Sequence, residues 1–249
     1  YSAGNNLLYT GTTTLTTLAF PNGYLAPTSN HWKIVSFNNN VYFFQRGQVP
    51  LKQTNGTGAL AELHHSQGGN HTAPLANEAM GVLGRLWATD ETDNKYVVYW
   101  TGVGGDDFHA GGSLDLTQVW RSDETVALAE FNGSLIIFGK RQTVIYSGAS
   151  APADSLSMTD IIDVGCIARD SVQQTANDLI FLSDQGVMSL RRLIQEKSQP
   201  LRDISKNVRS DLMSDVPSDT TGVKSVYSPE NAFYLLSLPA VSKVYVFDL

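Results

Sequence analysis

Along this chain, short apolar runs alternate with pairs of turn-forming residues, and a run–turn–run–turn–run unit recurs. It reads KIVSF-NN-NVYFFQR-GQ-VPL over Lys33–Leu51, and VALAEF-NG-SLIIFGK-RQ-TVIYSG over Val126–Gly148. It returns as SVQQTA-ND-LIFLSDQ-G-VMSL over Ser171–Leu190 and as VKSVY-SPEN-AFYLLSLP-AVS-KVYVFDL over Val223–Leu249. A looser copy with one clear hairpin, GRLWATDETDNKYVVYWTG, occupies Gly84–Gly102. Runs of this length, rich in β-branched and aromatic residues and broken by Asn-Asn or Asn-Gly, form antiparallel strands joined by tight turns. The central strands begin near Val41, Tyr96, Leu135, Leu179 and Phe233, at intervals of 39 to 55 residues. A four-stranded propeller blade spans about 40–50 residues. The expected fold is therefore mainly β: a β-propeller of repeated antiparallel sheets, residues 1–249 forming one domain.

Four stretches depart from the repeat. Residues 1–30 are rich in Thr, Asn and Gly; TGTTTLTTLAF can form strand, and Pro21-Asn22-Gly23 is a turn. Residues 52–81 hold few large apolar residues and read as an irregular loop insertion, with a short helix over Gly58–His65. Residues 102–113 and 149–160 read as further loops. Over 190–213 the pattern changes: Leu201, Ile204, Val208 and Leu212 recur at helical spacing after Pro200. This predicts a helical insertion, with one helix near 200–213.

Charge matters chiefly in that last segment. The chain carries 17 basic and 24 acidic residues, a formal net of −7, which argues against a basic surface that grips nucleic acid. Yet residues 191–209 carry Arg191, Arg192, Lys197, Arg202, Lys206 and Arg209 against only Glu196 and Asp203. Such a cluster is either a solvated face or a contact surface for an acidic partner or neighbouring subunit. The single cysteine, Cys166, rules out an internal disulfide framework, and its apolar neighbours Val164 and Ile167 predict a small buried side chain. No apolar run is long enough to span a membrane, and no leader pattern opens the chain.

Candidate chemistry is sparse. Gly133–Arg141, GSLIIFGKR, has the ingredients of a phosphate loop, but its glycines are one residue too far apart and no Ser or Thr follows Lys140. Ser183–Ser189, SDQGVMS, resembles an Asp-box turn but has Ser and Asp adjacent and no following tryptophan; a hairpin turn explains it. His64, His65 and His71, with Glu62, lack the spacing of a zinc helix motif, and no metal is expected. Asp106 and Asp107 are the candidate carboxylates for glycoside cleavage or calcium, although adjacent side chains diverge. Asp90, Asp93 and Asn94 read as a turn before the Tyr96 strand. The Asn55, Asn70 and Asn132 sequons fall in turn-like sequence. Most of the aromatic residues lie inside strands, as core; Tyr24, Trp32 and Phe108 are those near loops, where a sugar-binding propeller would need them.

GRLWATD, YVVYWTG, AEFNGSLIIFGKRQTVIYSGA and YSPENAFYLLSLP, together with the long block VGCIARDSVQQTANDLIFLSDQGVMSLRRLIQEKSQPLRDISKNVRSDL from Val164 to Leu212, resemble the tail tubular protein B, or tail nozzle, family of short-tailed bacteriophages. The resemblance runs over most of residues 30–249 and implies a non-enzymatic virion protein of the phage tail, without cofactor. It implies a ring of six subunits around the tail channel, contacts to an adaptor protein and tail fibres, and passage of double-stranded DNA without sequence-specific binding. Two other readings stand beside it: a carbohydrate- or receptor-binding propeller, and a propeller hydrolase acting on host polysaccharide.

Overall fold

The computed structural model describes residues 1–25, 27, 29, 31–63, 73–120, 122–150, 155–196 and 204–249. They form two compact units, the first Tyr1–Arg121 with Ser150–Asp154 and the second Ser122–Ala149 with Ser155–Leu249.

The first unit contains three antiparallel meanders. Strands β1 (Ser2–Gly4), β2 (Leu7–Thr10) and β3 (Thr16–Leu18) make the first sheet. The second comprises β4 (Lys33–Phe37), β5 (Asn40–Phe44), β6 (Leu51–Gln53) and β7 (Leu60–Glu62). The third comprises β8 (Ala76–Val82), β9 (Arg85–Glu91), β10 (Val97–Trp100) and β11 (Gly112–Asp115). The second unit repeats the plan. Its fourth sheet is β12 (Thr125–Phe131), β13 (Ser134–Gly139), β14 (Thr143–Ser147) and β15 (Ser157–Ile162). The fifth is β16 (Gln173–Gln174), β17 (Leu179–Ser183) and β18 (Gly186–Ser189). Helices α1 (Leu190–Glu196) and α2 (Arg209–Asp215) follow, then a sixth sheet of β19 (Lys224–Ser228), β20 (Phe233–Leu238) and β21 (Lys243–Asp248).

The turns explain why these runs pair as they do. Asn5-Asn6, Asn38-Asn39 and Asn132-Gly133 hold positive φ at both central positions, the backbone that matches the twist of a two-residue hairpin. Strand parity then fixes the core. In β5, Val41 and Phe43 point into a cluster with Leu8, Leu18 and Leu51, while Tyr42 and Phe44 point into another with Ala76, Ala79 and Leu86. The second sheet is thus packed on both faces, against the first and the third. In the second unit β17 does the same: Leu179 and Phe181 face Phe138 and Ile136, while Ile180 and Leu182 face Tyr234 and Leu236. Meanders stacked face to face in chain order are how propeller blades pack.

The structure corrects several expectations. The copy at Gly84–Gly102 is part of a complete four-stranded sheet, and residues 1–18 form a sheet of their own. The expected loop at 52–81 contains β7 and all but the last residue of β8, and Leu60–Glu62 is strand, not helix. Small residues hid β8: a Cβ on Gly81 would lie 2.9 Å from Phe37 Cβ, so close packing on β4 excludes the bulky side chains that mark a strand. Part of the expected 149–160 loop is β15, an edge strand whose polar residues show no alternation. Asp90 lies buried inside β9 rather than in a turn. In place of a single helix near 200–213, α2 begins only at Arg209 after turns over 204–208, and α1 ends at Glu196, with 197–203 outside the described residues. Tethering explains the break: Ile204 N–H donates to Val187 O at 2.8 Å, and Ser205 Oγ accepts from Val187 N–H at 3.0 Å. The turn is pinned to β18, and Ile204 and Leu212 reach the core without a continuous helix.

Candidate functional site

Four residues of the predicted basic cluster are described, and all are exposed: Arg191 and Arg192 on α1, Lys206 in the following turn and Arg209 opening α2. Lys197 and Arg202 lie outside the described residues. The start of α1 is fixed by side-chain capping. Ser189 Oγ accepts from Arg192 N–H at 3.1 Å, and Asp178 Oδ1 accepts from Arg191 N–H at 2.9 Å. These bonds satisfy amides that a helix leaves unpaired. Ser189 Oγ also donates to Asp178, so the cap ties α1 to the turn before β17. Among the described residues, the guanidinium groups of Arg191 and Arg192 have no acidic partner.

Arg191 stands on the rim of a cleft of about 610 Å³ in the second unit, within the 300–1,000 Å³ range of ligand sites. Its apolar floor is Phe131, Ile136, Ile145 and Ile194. Its polar rim includes Asn132, Asn177 and Gln195 on one side and Thr159 and Asp160, from β15, on the other. Thr159 Oγ1 donates to Ile145 O at 3.1 Å, whereas no internal hydrogen bond among the described residues engages the side-chain amides of Asn132, Asn177 or Gln195. These amides and Arg191 line an amphipathic cleft with donors and acceptors directed to solvent. Asn132 and Asn177 were read from sequence only as turn residues. They hold corresponding turn positions in successive repeats, NG and ND; superposing the repeats is the signal that would have paired them.

The remaining motifs are internally satisfied. In the first unit, a second cleft is lined by Asn38, Asn40, Tyr42, Lys52, Gly105 and Asp106. There the Asp106 carboxylate pairs with Lys52 and accepts from Tyr42 OH at 2.9 Å. Burial pushes the Tyr42 phenol up, and the Asp106 charge adds to the shift. Asp107 instead accepts from His109 N–H at 2.8 Å, so the two carboxylates are not brought together as a pair. The phosphate-loop-like string ends in a nest of amides that is already filled. Asp123 accepts from the N–H groups of Lys140, Arg141 and Gln142, each at 2.9 Å. Gly139 permits this approach, since a Cβ there would lie 2.4 Å from Asp123 Oδ2. Gly186 carries the positive φ of the SDQG hairpin. Cys166 is fully buried, its thiol donating to Ala168 O at 3.1 Å. His64, His65, His71 and Asn70 lie outside the described residues, and among those described no three ligating side chains cluster for a metal. All four tryptophans are buried, as is Phe108, and Tyr24 donates to Val49 O at 2.7 Å, so the loop aromatics offer no exposed sugar platform. No helix among the described residues is long and apolar enough to cross a membrane.

A mainly β protein of the propeller type is the class that these serially stacked meanders define. No family model and no curated protein matches the chain. Among solved structures, it is similar to the extracellular domain of the putative hybrid two component system BT3049 from B. thetaiotaomicron, at 10% identity and a TM-score of 0.59, covering 94% of this chain and 29% of that one. The corresponding domain of BT4673 from the same organism gives 10% identity and a TM-score of 0.54, covering 97% of this chain and 31% of that one. The chain therefore spans under a third of the length of these structures, and the likeness is one of fold.

Proposed function

We propose that this chain acts by recognising a macromolecular partner rather than by catalysis, as a propeller-type receptor-binding or assembly module. One observation carries this reading: a cleft lined by Arg191, Asn132, Asn177 and Gln195, whose side chains have no hydrogen-bond or ion-pair partner among the described residues, sits beside an exposed edge of the fourth sheet. The fold likeness to extracellular domains is in keeping with such a role. Labelled chain incubated with intact bacterial cells is expected to bind saturably, and Arg191→Glu with Arg192→Glu to remove that binding.

The sequence block from Val164 to Leu212 favours a second, more specific reading: a subunit of a phage tail nozzle, assembled as a ring around the DNA channel with adaptor and fibre proteins as its partners. Electron microscopy of the purified protein and antibody labelling of virions test it, with rings and tail labelling as the expected result. A monomer that neither binds cells, forms rings nor enters particles overturns both readings.

A further inference from the structure

We infer that β15 and the adjoining cleft take an extended acidic peptide segment of another protein, added as a strand to the open edge of the fourth sheet. This rests on the reading of the chain as a recognition module. The edge comes first. The fourth sheet runs β12-β13-β14-β15, so among the described residues β15 pairs on one side only. An unpaired edge presents a row of backbone donors and acceptors to any extended chain. Proteins commonly blunt such edges with lysine or proline, and Ser157–Ile162 contains neither. It exposes instead Met158, at 48%, and Ile161, at 39%. The edge is guarded at two points: the pairing with β14 slips past Thr159 between Asp160 and Met158, a bulge, and Ile161 N–H donates to Asp160 Oδ1 at 3.0 Å. An incoming strand replaces that local bond with a ladder bond, so the exchange leaves no donor unpaired.

The cleft supplies what a bare edge lacks, namely selectivity. Thr159 and Asp160 of β15 form one of its walls. A peptide lying along the edge therefore has alternate side chains directed at the cleft. The floor of Phe131, Ile136, Ile145 and Ile194 accommodates an aliphatic side chain. Charge sets the sign of the next side chain on the same face, two residues along the peptide. Arg191 and Arg192 are exposed and have no acidic partner among the described residues, and the described Lys206 and Arg209 extend the same basic segment. The cap fixes the backbone of Arg191 at the cleft rim, so its guanidinium is within reach of an acidic side chain there. The amides of Asn132, Asn177 and Gln195 both donate and accept, as peptide backbone requires. An uncharged sugar would leave Arg191 without a counter-ion, and the buried tryptophans offer such a ligand no stacking face.

The test uses the full chain and a fluorescein-labelled peptide with valine and glutamate in turn at every second position and serine between them, with the corresponding valine–lysine peptide as control. Anisotropy is expected to show the glutamate peptide binding at least tenfold more tightly. Arg191→Glu, an exposed substitution that leaves the fold intact, is expected to abolish the difference. Hydrogen exchange is expected to show new protection at Ser157–Ile162 and nowhere in the Asp106 cleft. Ile161→Pro is expected to weaken binding tenfold or more, with an unchanged circular dichroism spectrum. Equal binding of both peptides, binding without protection of β15, self-association through this edge that Arg191→Glu removes, or maltotriose shifting the same amides overturns the inference. Cell binding that survives alongside any of these results leaves the recognition reading standing.

Discussion

The fifth and sixth sheets share a sequence pattern and differ in fate. Both carry a continuous apolar run along a central strand, LIFLS in β17 and FYLLSL in β20. In β17 every residue is buried, because the fourth sheet covers one face and the sixth the other. In β20, Tyr234, Leu236 and Leu238 are buried against the fifth sheet. Its opposite face carries the row Val226–Leu235–Val246, in register across three strands, with Val246 at 55% and Val244 at 59% exposure. A strand pattern therefore reports that a face can be covered, while stacking order decides whether it is.

The largest expected effect separates the two sheets. Phe181 is fully buried, with its ring centroid 4.7 Å from that of Phe138. Phe181→Ala removes the contact and leaves a cavity, and is expected to cost about 3–5 kcal/mol in urea-unfolding free energy. A loss under about 1 kcal/mol would show that the fifth sheet is not the doubly packed element described.

The seam between the sheets gives the intermediate case. Asp170 pairs with Arg169 and with Lys224 on β19, Ser225 Oγ donates to Asp170 O at 2.8 Å, and Tyr234 OH donates to Ser171 O at 2.7 Å. Burial pulls the Asp170 carboxyl upward, but the hydrogen bonds and charges of Arg169 and Lys224 outweigh it and hold the group well below the usual carboxylate range. A depressed folded-state value means stability that is present above the unfolded carboxylate pKa and lost as pH falls toward the folded one. Asp170→Asn is expected to cost about 1–3 kcal/mol at neutral pH. The gap from wild type should narrow as pH falls below about 4 in a chemical-denaturation series. A gap constant down to the lowest accessible pH would place the contribution of Asp170 outside this ion pair.

The smallest effect lies on the uncovered face. Val246→Thr keeps a β-branched side chain at an exposed site and is expected to change stability by less than about 0.5 kcal/mol. A larger loss in thermal unfolding, growing with protein concentration, would mean that a second copy covers this face in solution.

The same contrast explains what was legible in the sequence. Strands bounded by Asn-Asn and Asn-Gly were readable, because both turn residues need positive φ and the flanking side chains alternate. β8 and β15 were not: one is built from Ala and Gly where sheets approach closely, the other is a polar edge. The helix expected near 200–213 failed for a related reason. Its spacing was helical, but bonds from Val187 and to Val187 fix Ile204 and Ser205 to β18, and tertiary anchoring overrode local periodicity. Of the candidate site, Arg191 and Arg192 were readable as charge. The cleft beside Arg191 was not, since it joins side chains from five separated stretches of chain.

The meander order has a further consequence, for how the molecule reaches its fold. Each strand pairs with its neighbour in sequence and with no distant one. Loop-closure entropy is therefore low for every pairing, and hairpins close on a timescale of about microseconds. A sheet can form as soon as its own residues leave the ribosome, and then serve as the surface on which the next one condenses. For β17, whose two faces need partners from both sides along the chain, burial becomes complete only when the residues of β20 have been made. Until then the apolar face formed by Ile180 and Leu182 is open, and this is the interval in which the nascent chain is most exposed to aggregation.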